Sequence, residues 1–303
     1  MRWLALLAWG WCSLGLAAET LRYCDYPVYP PVSWSDGQAV RGLAPQVVKR
    51  VLQELGYEMQ VVVLGNWKRC LMDAASGRVD LVLAYRTGER QHYLAFAEAP
   101  VLREEVALFY NRHKPLAVKR LADLAGYRGG LLFGESYGTE FDRFVTRQGR
   151  IEYVSDSRQN FGKLIRQRID FIPYERRTGR LFVAGMPGGE AIVDAPEPLA
   201  VDYLRLAVSR RSPLLARLDD IDRILLALQA DGSLQRWLEE SERDYRTQGR
   251  PLEGTSKNVG EAVSARQKQA KKRSLRSVNE HFEPVFNAAM ATQVVFRDAL
   301  EAP

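Results

Sequence analysis

Histidine is scarce in this chain: only His92, His113 and His281 occur in 303 residues, far apart. Such scatter offers no metal-ligand spacing and no Ser-His or Cys-His pairing. The H-E-x-x-H signature is missing, and so is a glycine-rich phosphate loop. The expectation is a protein with no metal, no cofactor and no catalytic residues. Charge of one sign is also lacking, since 43 Lys and Arg face 37 Asp and Glu, for a net +6. The basic residues do not gather into the aromatic-and-basic stripe of a nucleic-acid binder, so no nucleic-acid partner is expected. After residue 16 no apolar run is long enough to span a bilayer.

What is present is the composition of a globular chain, with 46% hydrophobic, 10% aromatic and 26% charged residues. Met1-Arg2, the apolar run from Trp3 to Leu16 and the small residues Ala17-Ala18 read as a cleavable secretion signal over residues 1–18. Export to the periplasm follows, where thiols are oxidised. Cleavage removes Cys12 and leaves Cys24 and Cys70. A disulfide between them is expected, with two buried free thiols as the alternative. At the other end, residues 249–303 are polar and basic, with a short apolar stretch from Phe282 to Leu300. They read as a disordered tail, or as a basic tether to anionic lipid or a partner.

Between these ends the pattern alternates between strand and helix. Thr20–Cys24, Tyr57–Leu64 and the apolar run Val79–Ala84 read as strands, and the crowded Pro and aromatic segment 25–40 reads as a loop. Helices are expected over Gly42–Leu55 and from Asn66 to a stop at Gly77. This β-α-β-α-β run predicts a parallel sheet with right-handed crossovers. A second α/β unit follows, with strands over Gly129–Phe133, Ile151–Val154 and Ile169–Pro173, then an irregular stretch to Asp202. Leu204–Ser209 returns the chain to the first unit. The expected architecture is α/β, with two Rossmann-like lobes joined by a double hinge near Arg112 and Tyr203, and a ligand cleft between them. Lobe 1 is assigned to 19–111 with 204–248, and the inserted lobe 2 to 112–203. Arg90 lies just beyond the carboxyl end of the Val79–Ala84 strand, where open α/β sheets hold their ligands. It is the first candidate for a ligand contact.

Several landmarks occur in order: Gly42-Leu43-Ala44-Pro45-Gln46, Gly77-Arg78-Val79-Asp80-Leu81, Glu89-Arg90, Leu121-Ala122-Asp123-Leu124 and Gln229-Ala230-Asp231-Gly232-Ser233. With them, roughly Leu21–Tyr245 resembles the type II periplasmic solute-binding proteins of polar amino acid uptake, the bacterial extracellular solute-binding proteins of family 3. The resemblance implies a monomer that captures an amino acid or related small carboxylate for an ABC permease or a membrane sensor. It places the family's carboxylate-binding arginine on Arg90, whose guanidinium suits bidentate capture. The family's ammonium-binding carboxylate falls on Glu175, where the family usually has Asp. A dehydratase-like enzyme on the same scaffold, or a sensory or scaffold receptor, is the alternative.

Other candidates come from the residues themselves. Ser136, Tyr137 and Thr139 lie at a predicted helix start, which suits a carboxylate or simple capping. Trp34, Trp67, Tyr85 and Phe133 are candidates for cleft wall or for core. The loop Tyr85-Arg86-Thr87-Gly88 is shorter than the family's usual one and carries an additional arginine. Arg86 together with Arg69 points to an anionic or doubly acidic ligand.

Overall fold

The computed structural model describes residues 18–248. The expected signal up to residue 17 and the basic tail therefore lie outside the described residues, as does Cys12. β1 (Thr20–Asp25) opens the chain, and then β2 (Val28–Tyr29), β3 (Ser33–Ser35) and β4 (Val40–Arg41) form a small antiparallel sheet of their own. The sequence reading made this segment a loop. Strands of two or three residues around Pro30-Pro31 are too short to show a period of two, which is why the reading missed them.

α1 (Leu43–Glu54) buries Leu43, Val47, Val48, Val51 and Leu52, the stripe that its 3.6-residue spacing puts on one side. β5 (Glu58–Val63) runs parallel to β1. α2 (Trp67–Ser76) starts at Asn66, whose side chain accepts from the Arg69 N–H at 3.0 Å, and ends at Gly77 with φ +77°. β6 (Leu81–Tyr85) is buried throughout, as its continuous apolar run requires. It also runs parallel to β1, so the expected β-α-β-α-β unit is present in the order β6, β1, β5. A 3-10 turn at Arg90–His92 leads to β7 (Leu94–Phe96).

β8 (Leu102–Asn111) leads into the second lobe. There β9 (Arg128–Leu132), α3 (Thr139–Gln148), β10 (Arg150–Val154) and α4 (Ser157–Ile165) follow, with β9 and β10 parallel. β11 (Ile172–Glu175) and β12 (Ile192–Asp194) both pair antiparallel with β8, and α5 (Arg176–Ala184) lies between them. The sequence reading left the stretch before Asp202 irregular. α5 escaped it because Arg176-Arg177-Thr178-Gly179-Arg180 shows little apolar period, yet Gly179 sits inside the helix. A Cβ there would fall 2.2 Å from the Phe109 ring, so close packing on β8 selects glycine.

β13 (Ala200–Ser209) returns the chain, pairing antiparallel first with β8 and then with β6. α6 (Leu218–Ala230) and α7 (Ser233–Gln248) close the first lobe against α1. The link between the lobes is thus a pair of ten-residue strands, β8 and β13, hydrogen-bonded to each other. One core packs Leu43, Val51, Leu81, Leu206, Leu225 and Leu238. A second core is aromatic, with Phe161 meeting Phe109, Tyr174 and Phe182 edge to face. The Cys24–Cys70 disulfide is present, tying the end of β1 to the first turns of α2 with Cα atoms 5.7 Å apart. Among the described residues no helix is long and apolar enough to cross a membrane.

Candidate functional site

Three strands from both lobes end at one place. Asp25 closes β1, Tyr85 closes β6 and Glu175 closes β11, and the loop after β9 brings Glu135, Ser136 and Tyr137 to the same spot. They line a cavity of about 90 Å³ together with Tyr26, Tyr29, Trp67 and Arg90. The cavity therefore sits at the carboxyl ends of β1 and β6, where an open α/β sheet leaves its strand ends uncovered. Around it the lobes meet through an apolar seam, Tyr26 and Val28 of the first against Leu132 and Val154 of the second. The Tyr26 hydroxyl donates to the Ser155 carbonyl across that seam.

Arg90 is positioned by its own short turn. Its backbone N–H donates to Thr87 Oγ1 at 3.2 Å, which folds the side chain back beneath β6. Nη1 then donates to the Tyr85 carbonyl and Nη2 to the Gly134 carbonyl, both at 2.9 Å. The guanidinium also lies 5.9 Å from the centre of the Trp67 ring. Only 4% of Arg90 is exposed, and burial lowers its pKa from the ordinary value. The remaining N–H donors of the fork are what a ligand carboxylate would engage. Arg90, Glu135 and Ser136 also line a wider groove of about 790 Å³ that opens between α2 and α3.

The carboxyl groups outnumber that one guanidinium. Asp25 accepts from the Tyr23 hydroxyl at 2.8 Å and from Ser33 Oγ at 2.5 Å, and burial still raises its pKa to about 6. Glu135 accepts from the Tyr137 hydroxyl at 2.7 Å, and burial, with Glu175 nearby, pushes it to about 8. Glu175 accepts from the Tyr85 hydroxyl at 3.0 Å and is raised by burial to about 7. Behind the wall, Glu104 of β8 accepts from Tyr29 at 3.2 Å and is raised to about 8, by burial first and by Glu175 second. Desolvation disfavours each charge, and the repulsion between neighbouring carboxylates adds to it. A cation placed in the cavity would relieve both costs.

Of the sequence candidates, Arg90, Glu175, Ser136, Tyr137, Trp67 and Tyr85 are brought together on the cavity wall. Ser136 is engaged locally, its hydroxyl donating to Asp142, and Thr139 stands in the outer groove as the first residue of α3. The others lie elsewhere. Trp34 is buried in β3, where its indole N–H donates to Ser241 of α7 at 2.9 Å and its ring meets Tyr245 edge-on. Phe133 is exposed and stacks on Tyr153 at 5.6 Å. Arg69 is exposed on α2, and Arg86 turns away to pair with Glu98 at 2.7 Å over the Phe96 ring. The two arginines behind the expectation of a doubly acidic ligand thus do not face the cavity. The cavity wall carries Asp25, Glu135 and Glu175 in their place. Asp25, Glu135, Glu104 and Tyr29 were missed, although Asp25 ends the first strand and Glu135 follows the glycine at a strand end. Among the described residues no cluster of His, Cys, Asp and Glu has the form of a metal site.

The sequence profile of the bacterial extracellular solute-binding proteins, family 3, matches residues 21–240. The chain belongs to that family. Solved structures share the fold of this family 3 protein at low identity. A mutant of ArgBP from T. maritima is 19% identical, with 73% of this chain and 94% of the other covered and a TM-score of 0.64. An ancestral arginine-binding protein bound to arginine is also 19% identical, covering 73% and 97%, TM-score 0.64. An amino acid ABC transporter substrate-binding protein, AbpA from Streptococcus pneumoniae, bound to L-arginine, is 18% identical, covering 74% and 94%, TM-score 0.64. A sequence comparison with curated proteins gives no match.

Proposed function

We propose that this family 3 protein captures a cationic amino acid between its lobes and hands it to an ABC permease, as a monomeric periplasmic receptor rather than an enzyme. The observation that carries the reading is the charge balance of the cavity, where Asp25, Glu135 and Glu175 face a single Arg90. Arg90 takes the α-carboxylate by the N–H donors that the Tyr85 and Gly134 carbonyls leave over, and the carboxylates take the α-ammonium and the side-chain cation. Trp67 and Tyr85 supply the flat apolar walls between those ends. The arginine in two of the related structures supports the same class.

A thermal-shift panel tests it. L-Arginine and L-lysine should raise the melting temperature more than L-glutamine, and L-glutamate should raise it least. A site filled at a hundredfold excess over Kd gains about 2.7 kcal/mol. If L-glutamate gave the largest shift, the charge argument would be wrong. Mass spectrometry of the incubated ligand should find it unchanged, which separates a receptor from an enzyme.

A further inference from the structure

Glu104 and Glu175 lie on neighbouring antiparallel strands, β8 and β11, and two tyrosines from the first lobe bridge them. The Tyr29 hydroxyl lies 3.2 Å from Glu104 Oε1 and 3.2 Å from the Tyr85 hydroxyl, which lies 3.0 Å from Glu175 Oε1. This is an unbroken line of three hydrogen bonds: carboxyl, tyrosine, tyrosine, carboxyl. Each link needs one proton. The two tyrosines bring one each, and burial keeps both hydroxyls protonated, their pKa values standing well above the ordinary one. Two protons cannot fill three links, so the third must come from a carboxyl group.

We infer that Glu104 and Glu175 share one proton through Tyr29 and Tyr85, and that Glu104 takes it when a cation meets Glu175. Either end can hold the proton, because reversing both hydroxyls passes the donor role along the line without moving a heavy atom. The environments of the two ends decide between them. Glu175 lines the cavity, whereas Glu104 sits behind it on the inter-lobe strand β8, in register with Asp202 of β13. Around Glu104 the charged and titratable groups are Tyr29, Glu175, Glu105, Arg177 and, across on β13, Asp202, and Arg177 is itself paired with Glu242 at 3.3 Å. Around Glu175 they are Tyr85, Tyr29, Glu104, Glu135, Tyr137 and Tyr174. Arg90 shares the cavity wall with Glu175, but its guanidinium is held by the Tyr85 and Gly134 carbonyls, so a ligand's ammonium is what fixes Glu175 ionised. Glu104 is then a positioning residue: it never touches ligand, but it stores the proton that would otherwise neutralise the ligand-facing carboxylate. The ligand half of this inference rests on the proposed cationic amino acid; the shared proton does not.

The experiment is infrared difference spectroscopy of the mature protein at pH 7, in a Glu135→Gln background that removes the other carboxyl raised to about 8. The expected result is a protonated-carboxyl band that disappears in both Glu104→Gln and Glu175→Gln. An amide at either end supplies the third proton and leaves the opposite carboxyl ionised. A band that survives Glu175→Gln means that Glu104 is protonated on its own account, and one that survives Glu104→Gln means the same for Glu175. Either outcome, or no band in the parent, overturns the shared proton. As a second measurement that needs neither variant, saturation with L-arginine should leave the band in place. Loss of the band with release of a proton would overturn the role of Glu104. If L-arginine does not raise the melting temperature of the protein with Glu135 intact, the proposed ligand class fails, and the ligand-free spectra still decide the relay.

Discussion

Arg90 and Gly134 are joined across the two lobes, the guanidinium of one donating to the carbonyl of the other at 2.9 Å. The same guanidinium holds the end of β6 through the Tyr85 carbonyl and is the one cation among the described residues on the cavity wall. In the proposed receptor, ligand capture and lobe closure therefore draw on one side chain. Arg90→Ala should abolish the melting shift given by L-arginine while the ligand-free protein stays folded. Arg90→Lys should also lose at least about tenfold in affinity, roughly 1.4 kcal/mol, because a point charge cannot serve two carbonyls and a carboxylate in one plane. Calorimetric titration of both variants checks this; near-parental binding by the lysine variant would rule out the fork geometry.

The buried carboxyls give the ligand-free protein a stability that falls as pH rises. Their pKa values are raised, from 4.5 to about 8 in Glu104 and Glu135 and from 3.8 to about 6 in Asp25. The native state then binds more protons than the unfolded one across that interval, so the slope of stability against pH is negative. The contribution is complete below about 4.5 and is lost as pH passes about 8. Melting curves between these limits should show a declining temperature, with the decline reduced in Glu104→Gln. A rising curve would mean that these groups are ionised and compensated in the folded protein.

Affinity for a cation should run the other way. Glu135, raised to about 8, must lose its proton to meet a ligand's positive charge, so binding of L-arginine should strengthen as pH rises toward that value. Glu135→Gln should weaken binding and flatten this dependence. Titration in buffers of different ionisation heat would reveal the released proton, and a pH-independent Kd would remove Glu135 from the ligand's surroundings.

How far the sequence could be read depends on the range of the interactions involved. Period and punctuation identified α1, α2 and the parallel strands, because the buried stripe of Val47, Val51 and Leu52 and the stop at Gly77 are local facts. Arg90 was legible because its place after a buried strand is set by the chain itself. The acidic character of the cavity was not. Asp25 and Glu135 are 110 positions apart in sequence, and nothing near either one distinguishes a buried carboxylate from a turn residue. Arg86 misled for the same reason, since its partner Glu98 is reached only through the fold of β7. Short strands such as β2 and β3 are held by tertiary packing, Trp34 on Ser241 for one, and leave no periodic trace.

The Cys24–Cys70 bond should matter to binding as well as to stability. Cys24 lines the cavity beside Asp25, and Cys70 Sγ lies 3.8 Å from the Asp25 carbonyl. With 46 positions between the cysteines, the chain-entropy account gives the crosslink about 4 kcal/mol. For a protein of this size that is roughly 10 °C in melting temperature. Replacing both cysteines by alanine should produce a loss of this order, together with weaker L-arginine binding as α2 and Trp67 loosen from β1. A variant that keeps its affinity while losing the stability would show that the bond acts on the unfolded chain alone.

Gly134 offers the sharpest test of closure. Its φ of +89° is left-handed, and a Cβ there would stand 3.1 Å from both the Cα and the backbone nitrogen of Lys68. Those atoms belong to the first turn of α2, in the other lobe, and a helix backbone cannot step aside as a flexible side chain can. Gly134→Ala should therefore cost about 1–2 kcal/mol in backbone strain and also wedge the lobes apart at the Arg90 contact. Part of the strain is relieved by opening, so the variant should be more expanded in solution than the parent. Small-angle scattering should show a larger radius of gyration, and L-arginine should bind more weakly without reversing the expansion. An unchanged radius with unchanged affinity would mean that the Gly134 loop moves independently of closure.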